Sequence, residues 1–205
     1  MILPFSQLEL ARKNPAKFGK SYAPGSGGFN SRNFRTFLST AVKDFHHGAT
    51  KDAVVKAFTK KCEDKLKLQA HFNARLKHYV KILSDYCDLY ATQGCEFVEA
   101  KKATKLVIGT HLLRGKIDRF DIRIAGGYRA TMTQMEQSAW EGEVRWPLIQ
   151  KGIATELGAP TDEVEVGVFS YADGTYAYRT FTDQEIASAE SEALTVLNQV
   201  EANMP

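Results

Sequence analysis

The sequence predicts an α/β protein in which a mixed central β-sheet is flanked by helices and the N-terminal half is helical. Up to about residue 93, apolar residues recur at the three- and four-residue spacing of amphipathic helices. After Gly94 they alternate with polar residues, which is typical of strands with one buried face. The predicted order is helices, three strands, a helix, two strands and a helix, and this order favours one mixed sheet with helices on its faces.

Three segments supply the helical half. Ser6–Lys13 predicts a short helix, and a loop rich in glycine follows at Lys20–Asn30. Ser31–His47 carries a continuous apolar face. Lys51–Thr92 predicts one or two further helices, with Leu68 assigned to the buried side.

The second half contains the predicted strands, which are Phe97–Ile108, Leu112–Ile124, Tyr128–Met135, Glu163–Tyr171 and Thr175–Phe181. The first two form a hairpin around Gly109. The last two flank Asp173-Gly174, a pair typical of tight hairpin turns.

Two helices complete the predicted core. Glu143–Leu157 forms the first of them, because Pro147 falls in its first turn, where proline is tolerated. Thr182 and Glu185 form a capping box at the start of the last helix. We therefore expect a single domain over residues 1–205, with a helical part at about 1–93 and a sheet-containing core at about 94–205.

Composition restricts the class of protein. The 205 residues are 43% hydrophobic and carry a net charge of +3, as expected for a globular protein without a membrane span. The three cysteines, Cys62, Cys87 and Cys95, have no metal-binding spacing, which predicts free thiols in a reducing, cytoplasmic compartment.

A short motif on the second predicted strand carries the main functional signal. Residues 115–121 read Gly-Lys-Ile-Asp-Arg-Phe-Asp. This string resembles the first metal-binding aspartate motif of RecB-like nucleases, which belong to the PD-(D/E)XK superfamily with its restriction-endonuclease-like fold. The resemblance implies that Asp118 occupies the position of the first metal ligand.

Other segments are similar to the same family, in the same order along the chain. They are Ser6–Leu8, Asn14–Phe18, Ser39–Lys43, Arg145–Ile149 and Gly158–Pro160. Asn14 stands where the iron–sulfur members of the family have their first cysteine. Since a cluster needs four thiolates and the chain has three cysteines, we predict no iron–sulfur cofactor.

The family's second motif is missing. The resemblance implies a glycine turn, present here at Gly126-Gly127, and then a strand with a carboxylate and a lysine. The corresponding strand, Tyr128–Met135, contains neither residue type. The two positions fall at about Thr131 and Thr133. We therefore expect Asp118 to be vestigial and the protein to be catalytically degenerate. Such a protein needs no cofactor and acts by binding DNA or a partner protein in a larger assembly.

Two alternatives remain open at this stage. An active magnesium-dependent DNA exonuclease or endonuclease would need migrated ligands, with Glu99 and Glu136 joining Asp118 around the metal. Residues 99–101 spell Glu-Ala-Lys, but they precede Asp118 in the chain, and surface charge on an edge strand explains them. The second alternative is a structural subunit of a viral or defence complex.

Four cations form the predicted nucleic-acid-binding set: Lys43, Lys116, Arg119 and Arg145. Lys43 and Arg145 replace a histidine and a glutamine of the family, and we expect both near Asp118, where they could pair with a phosphate. Asp118 is expected to face a groove flanked by the Ser31–His47 helix. An Asp118–Arg119 ion pair is the structural alternative.

A further basic segment lies at residues 51–81. Nine lysine and arginine residues with aromatic residues between them could follow a phosphate backbone. Acidic residues are interleaved with them, so an ordinary solvated helix face is an equally valid interpretation.

Overall fold

The computed structural model describes residues 1–22, 33–134, 139–172 and 174–204, and the chain divides into two compact units. The sheet unit comprises Met1–Ser26 and Glu96–Pro205, and the helical unit comprises Gly27–Cys95. The predicted α/β class with a mixed sheet and flanking helices is confirmed. The first residues of the chain fold with the sheet, so the helical unit is shorter than the helical part expected at 1–93.

The elements follow one another as β1 (Ile2–Pro4), α1 (Phe5–Lys13), α2 (Pro15–Ser21), α3 (Phe34–His46), α4 (Lys51–Leu66), α5 (Phe72–Ala91), β2 (Cys95–Ile108), β3 (His111–Arg123), β4 (Tyr128–Gln134), α6 (Arg145–Leu157), β5 (Val164–Ser170), β6 (Thr175–Arg179) and α7 (Asp183–Glu201). Short 3₁₀ turns precede α6 and β5. The capping box of Thr182 and Glu185 is present at the start of α7.

Six strands form one mixed sheet in the order β1-β3-β4-β5-β6, with β2 also paired to β3. The β1–β3 and β4–β5 pairs are parallel, whereas β3–β4 and β5–β6 are antiparallel. A two-residue turn that begins at Gly109 joins β2 to β3, and Gly109 has the positive φ of 58° that such a turn requires.

The core of the sheet unit lies between the sheet and helices α1, α6 and α7. Trp146 of α6, Val166 of β5 and Leu197 of α7 are fully buried in it. The buried face of α7 follows the helical period and consists of Ile186, Ala189, Ala193, Val196, Leu197 and Val200.

The helical unit consists of α3, α4 and α5. Phe34 of α3 stacks on Tyr79 of α5 with ring centroids 5.1 Å apart, and Phe58 of α4 is buried. The predicted burial of Leu68 is wrong, because this residue lies in the connection between α4 and α5 and is fully exposed. Cys62 and Cys87 are buried free thiols, as predicted.

Two elements of the sheet unit, β1 and α2, were not predicted from the sequence. The strand β1 has three residues, too few to show a periodicity, and it is held by pairing with residues 112–114. Asn14 accepts a hydrogen bond from the backbone N–H of Lys17 (3.0 Å) and thereby caps α2. Every helix in the described ranges is too short or too polar to cross a lipid bilayer.

Candidate functional site

Asp118 lies where β3 and β4 separate. The two strands pair from Ile122–Tyr128 to Arg119–Thr131, and β4 then continues beside β5 as far as Gln134. Asp118 is the residue of β3 next to the last pair. Its carboxylate lies beside the diverging part of β4, so the predicted placement of this residue on the second strand of the hairpin is correct.

Three donors occupy the Asp118 carboxylate. Oδ2 accepts hydrogen bonds from the backbone N–H and the hydroxyl of Thr133, each at 2.8 Å. Oδ1 forms an ion pair with the ammonium of Lys101 on β2. The Asp118 side chain is 20% exposed, so a ligand could reach it from solvent only by competing with these donors.

The backbone of β2 is irregular near Lys101. The exposed and half-buried positions alternate regularly from Cys95, and the alternation shifts by one residue at Val98–Glu99. Lys101 itself has φ +57°, a left-handed conformation that is uncommon for residues other than glycine. The side chain of Lys101 is half-exposed, and its ammonium lies at Asp118.

Tyr171 closes the inner side of this arrangement. Its side chain is buried and shares a hydrogen bond with the Thr133 side chain. Burial raises the pKa of the Tyr171 phenol above its usual range, and the neighbouring Asp118 carboxylate raises it further. The phenol is therefore neutral and does not supply a base at physiological pH.

The next residue of β3, Arg119, belongs to a buried polar network. Its guanidinium donates to Asp121 (2.7 Å), Tyr176 (2.8 Å), Tyr178 (3.0 Å) and Thr131 (3.1 Å). The side chain is 2% exposed. The prediction that Arg119 binds nucleic acid is therefore wrong, because DNA cannot reach it.

The same contacts replace the predicted Asp118–Arg119 ion pair. Asp118 pairs with Lys101, and Arg119 pairs with Asp121. Thr131, at the position expected for the second carboxylate, contacts Arg119, whereas Thr133, at the position expected for the lysine, contacts Asp118. Within the described ranges, no group of three or more histidine, cysteine, aspartate or glutamate residues could hold a metal ion.

The remaining predicted cations have different environments. The Arg145 guanidinium pairs with Glu143 (2.6 Å) and lies over the Trp146 ring, so its charge is already matched within the sheet unit. Lys116 is exposed and lines a groove of about 660 Å³ together with Lys105, Arg114 and Glu156.

Lys43 is exposed on α3 of the helical unit, whereas Asp118 belongs to the sheet unit. Its predicted proximity to Asp118, and a groove flanked by α3, stay predictions. Of the alternative metal ligands, Glu99 is exposed on β2, and Glu136 lies outside the described residues.

The pairing of Lys101 with Asp118 was not predicted, although the sequence carries a signal for it. Counting outward from the turn at Gly109 pairs Ile108 with His111 and, seven residues further along each strand, Lys101 with Asp118. Because residues 99–101 precede Asp118 in the chain, they were predicted to be surface charges on an edge strand. That assignment fits the exposed Glu99 but not Lys101.

Comparison with known proteins identifies the fold but no family. No family model matches the chain, and no curated protein matches its sequence. A crystal structure of a "putative exonuclease" from Eubacterium rectale aligns with a TM-score of 0.52 and 8% identity, over 87% of this chain and 71% of that chain. A second structure, of SSO0001, aligns over 93% of this chain and 86% of that chain at 11% identity, but with a TM-score of only 0.30.

The first of these alignments shows that the fold is nuclease-like. At 8% identity it establishes nothing about activity, because one fold supports many functions. The evidence on function comes from the residues around Asp118.

Proposed function

We propose that this chain is a RecB-like nuclease-fold protein that has lost metal-dependent hydrolysis and acts by binding DNA or a partner protein within a larger assembly. The observation that supports the proposal is the engagement of the Asp118 carboxylate by Lys101 and Thr133. In this proposal Asp118 is a structural residue that joins three strands of the sheet, and the family's cofactor is not required.

The electrostatics around Asp118 oppose binding of a divalent cation. Mg²⁺ loses water reluctantly and is usually held by one or two carboxylates together with substrate phosphates. At Asp118 the Lys101 ammonium already neutralises the carboxylate and would repel an incoming cation. A metal ion would also have to displace the two donors of Thr133 from Oδ2.

The chemistry that remains is insufficient for phosphodiester hydrolysis. A bound metal ion can generate a hydroxide nucleophile at neutral pH because it lowers the pKa of its water molecule. The single charge of Lys101 can pair with a phosphate, but it does not coordinate and ionise water in this way. Thr133 supplies only a neutral hydroxyl, and that hydroxyl already donates to Asp118.

The proposal is tested by incubating the purified chain with linear double-stranded and single-stranded DNA in Mg²⁺ or Mn²⁺. We expect no metal-dependent cleavage over hours, because the described residues contain no group of three or more histidine, cysteine, aspartate or glutamate side chains that could hold a metal ion. Gel electrophoresis of end-labelled DNA measures the result. Asp118→Asn is the matched control, since it preserves the shape of the side chain and removes its charge.

Cleavage by the wild type that disappears in Asp118→Asn would overturn the proposal. Substitution of Glu99 and Glu136 would then show whether these residues are the migrated metal ligands.

A further inference from the structure

Positive charge is concentrated in the helical unit. Residues 27–95 contain twelve lysine and arginine residues against six aspartate and glutamate residues. The rest of the chain contains fifteen basic and eighteen acidic residues. The modest net charge of +3 therefore hides a helical unit of +6 and a remainder of −3, and a polyanion is attracted to the first of these.

Most cations of the helical unit are not neutralised by neighbouring carboxylates. Lys51 pairs with Asp88 (2.6 Å), and Lys81 pairs with Asp85. Lys56, Lys60 and Lys77 are exposed and make no ion pair with any residue in the described part of the chain. Surface lysines of many proteins are interspersed with acidic residues that balance their charge. In this unit of about seventy residues, an excess of six positive charges is not balanced.

The exposed cations are arranged along helix faces. Lys56 and Lys60 are one turn apart on α4, as are Lys77 and Lys81 on α5, so each pair projects from one side of its helix. Lys77 and Lys81 also line an open concavity of about 630 Å³ along α5 with His78, Ser84 and Asp85, and Asp85 pairs with Lys81 there. One helical turn rises about 5.4 Å, a spacing at which neighbouring lysines can contact successive phosphates of a nucleic acid strand.

The chemistry of this surface indicates how it would bind. Lysine supplies nine of the twelve cations, and its ammonium contacts phosphates as a point charge without reading base edges. The aromatic residues of α3, α4 and α5 are buried or half-buried, so the described surface lacks the exposed rings on which single-stranded bases stack.

We propose that the helical unit binds the phosphate backbone of double-stranded DNA without sequence preference, and that Lys56, Lys60 and Lys77 contribute to this surface. This inference rests on the proposed function, in which the chain acts by binding. It assigns the binding to the helical unit rather than to the surroundings of Asp118. The residual charge of the remainder of the chain is negative and does not attract DNA.

Fluorescence anisotropy with a labelled duplex of random sequence, in the presence of a chelator, tests the assignment. The helical variant carries Lys56→Ala, Lys60→Ala and Lys77→Ala, which preserve helix propensity at exposed positions. We expect its affinity to fall roughly tenfold or more, and the slope of log K against log salt to decrease by about 3. Far-ultraviolet circular dichroism checks that the helices remain.

Two triple variants of the sheet unit provide the comparison, and each removes the same number of positive charges. One changes the exposed cations of α1 and α2, which are Lys13, Lys17 and Lys20. The other changes the cations of the groove beside Lys116, which are Lys105, Arg114 and Lys116. We expect each to change the affinity less than about threefold, because general screening alone is altered.

The outcomes separate this inference from the proposed function. A larger loss in either sheet-unit variant than in the helical variant, or equal losses in all three, would overturn the assignment to the helical unit. Tighter binding to a single strand would also overturn the assignment to duplex DNA. No binding of DNA by the wild type at low salt would overturn it too and leave a protein partner for the proposed function. Metal-dependent cleavage would instead contradict the proposed function itself.

Discussion

Arg119→Ala is expected to lower the free energy of unfolding of the sheet unit by roughly 3–5 kcal/mol. The substitution leaves the carboxylate of Asp121, which is fully buried, without its guanidinium partner. It also removes hydrogen bonds to Tyr176, Tyr178 and Thr131. Loss of the guanidinium beside a buried carboxylate dominates the effect, because water cannot replace the missing donors in the interior.

Urea unfolding followed by tryptophan fluorescence measures this effect. Both tryptophans, Trp140 and Trp146, are buried in the sheet unit, with ring centroids 5.0 Å apart, so their emission reports on this unit. Arg179→Ala is the matched control, since Arg179 forms a half-exposed pair with Glu185, and we expect it to cost at most about 1 kcal/mol. Equal losses in the two variants would contradict the view that Arg119 anchors a buried network.

Gly167→Ala is expected to destabilise the same unit by at least about 2–3 kcal/mol. A Cβ at this position of β5 would overlap the carbonyl oxygen of Ala177 and lie 2.5 Å from Cδ1 of Tyr178. The obstacle is the backbone of β6, which cannot move away without loss of its pairing with β5. Displacement of Tyr178 would also weaken its hydrogen bond with Arg119.

Gly142→Ala is the control for this substitution. A Cβ at Gly142 would meet no atom within 4 Å, so we expect the free energy of unfolding to change by less than about 0.5 kcal/mol. The same urea titration compares the two variants. A Gly167→Ala protein as stable as the Gly142→Ala protein would show that β5 and β6 are not packed as closely as the structure indicates.

Features with local causes were predictable from the sequence. The capping box at Thr182 involves residues three apart, and the β5–β6 hairpin depends on alternating apolar residues around a turn. The strand position of Asp118 followed from the motif at residues 115–121 and from the alternation around it. Each of these signals lies within a few neighbouring residues.

The environment of Arg119 depends on distant residues and could not be predicted. Tyr176 and Tyr178 lie more than fifty residues away in the chain, and only the antiparallel pairing of β5 with β6 brings them to Arg119. The position of an arginine next to a motif aspartate therefore does not predict whether the arginine side chain is exposed. The left-handed backbone conformation of Lys101, beside Asp118, is likewise a feature without a glycine to mark it.

The contacts of Asp118 give this residue a structural role in the nuclease-like fold. The carboxylate satisfies the Thr133 N–H at the point where β4 separates from β3, and it pairs with Lys101 of β2. Both contacts hold strands of the sheet together. This role does not depend on catalysis.

Binding of Mn²⁺, measured by electron paramagnetic resonance, tests the central claim most directly, because it detects a metal at Asp118 without requiring DNA. We predict that wild type and Asp118→Asn bind the same amount of Mn²⁺ in the millimolar range, since Lys101 and Thr133 occupy the carboxylate. A saturable site present in the wild type and absent from Asp118→Asn would contradict the account and identify a functional metal centre.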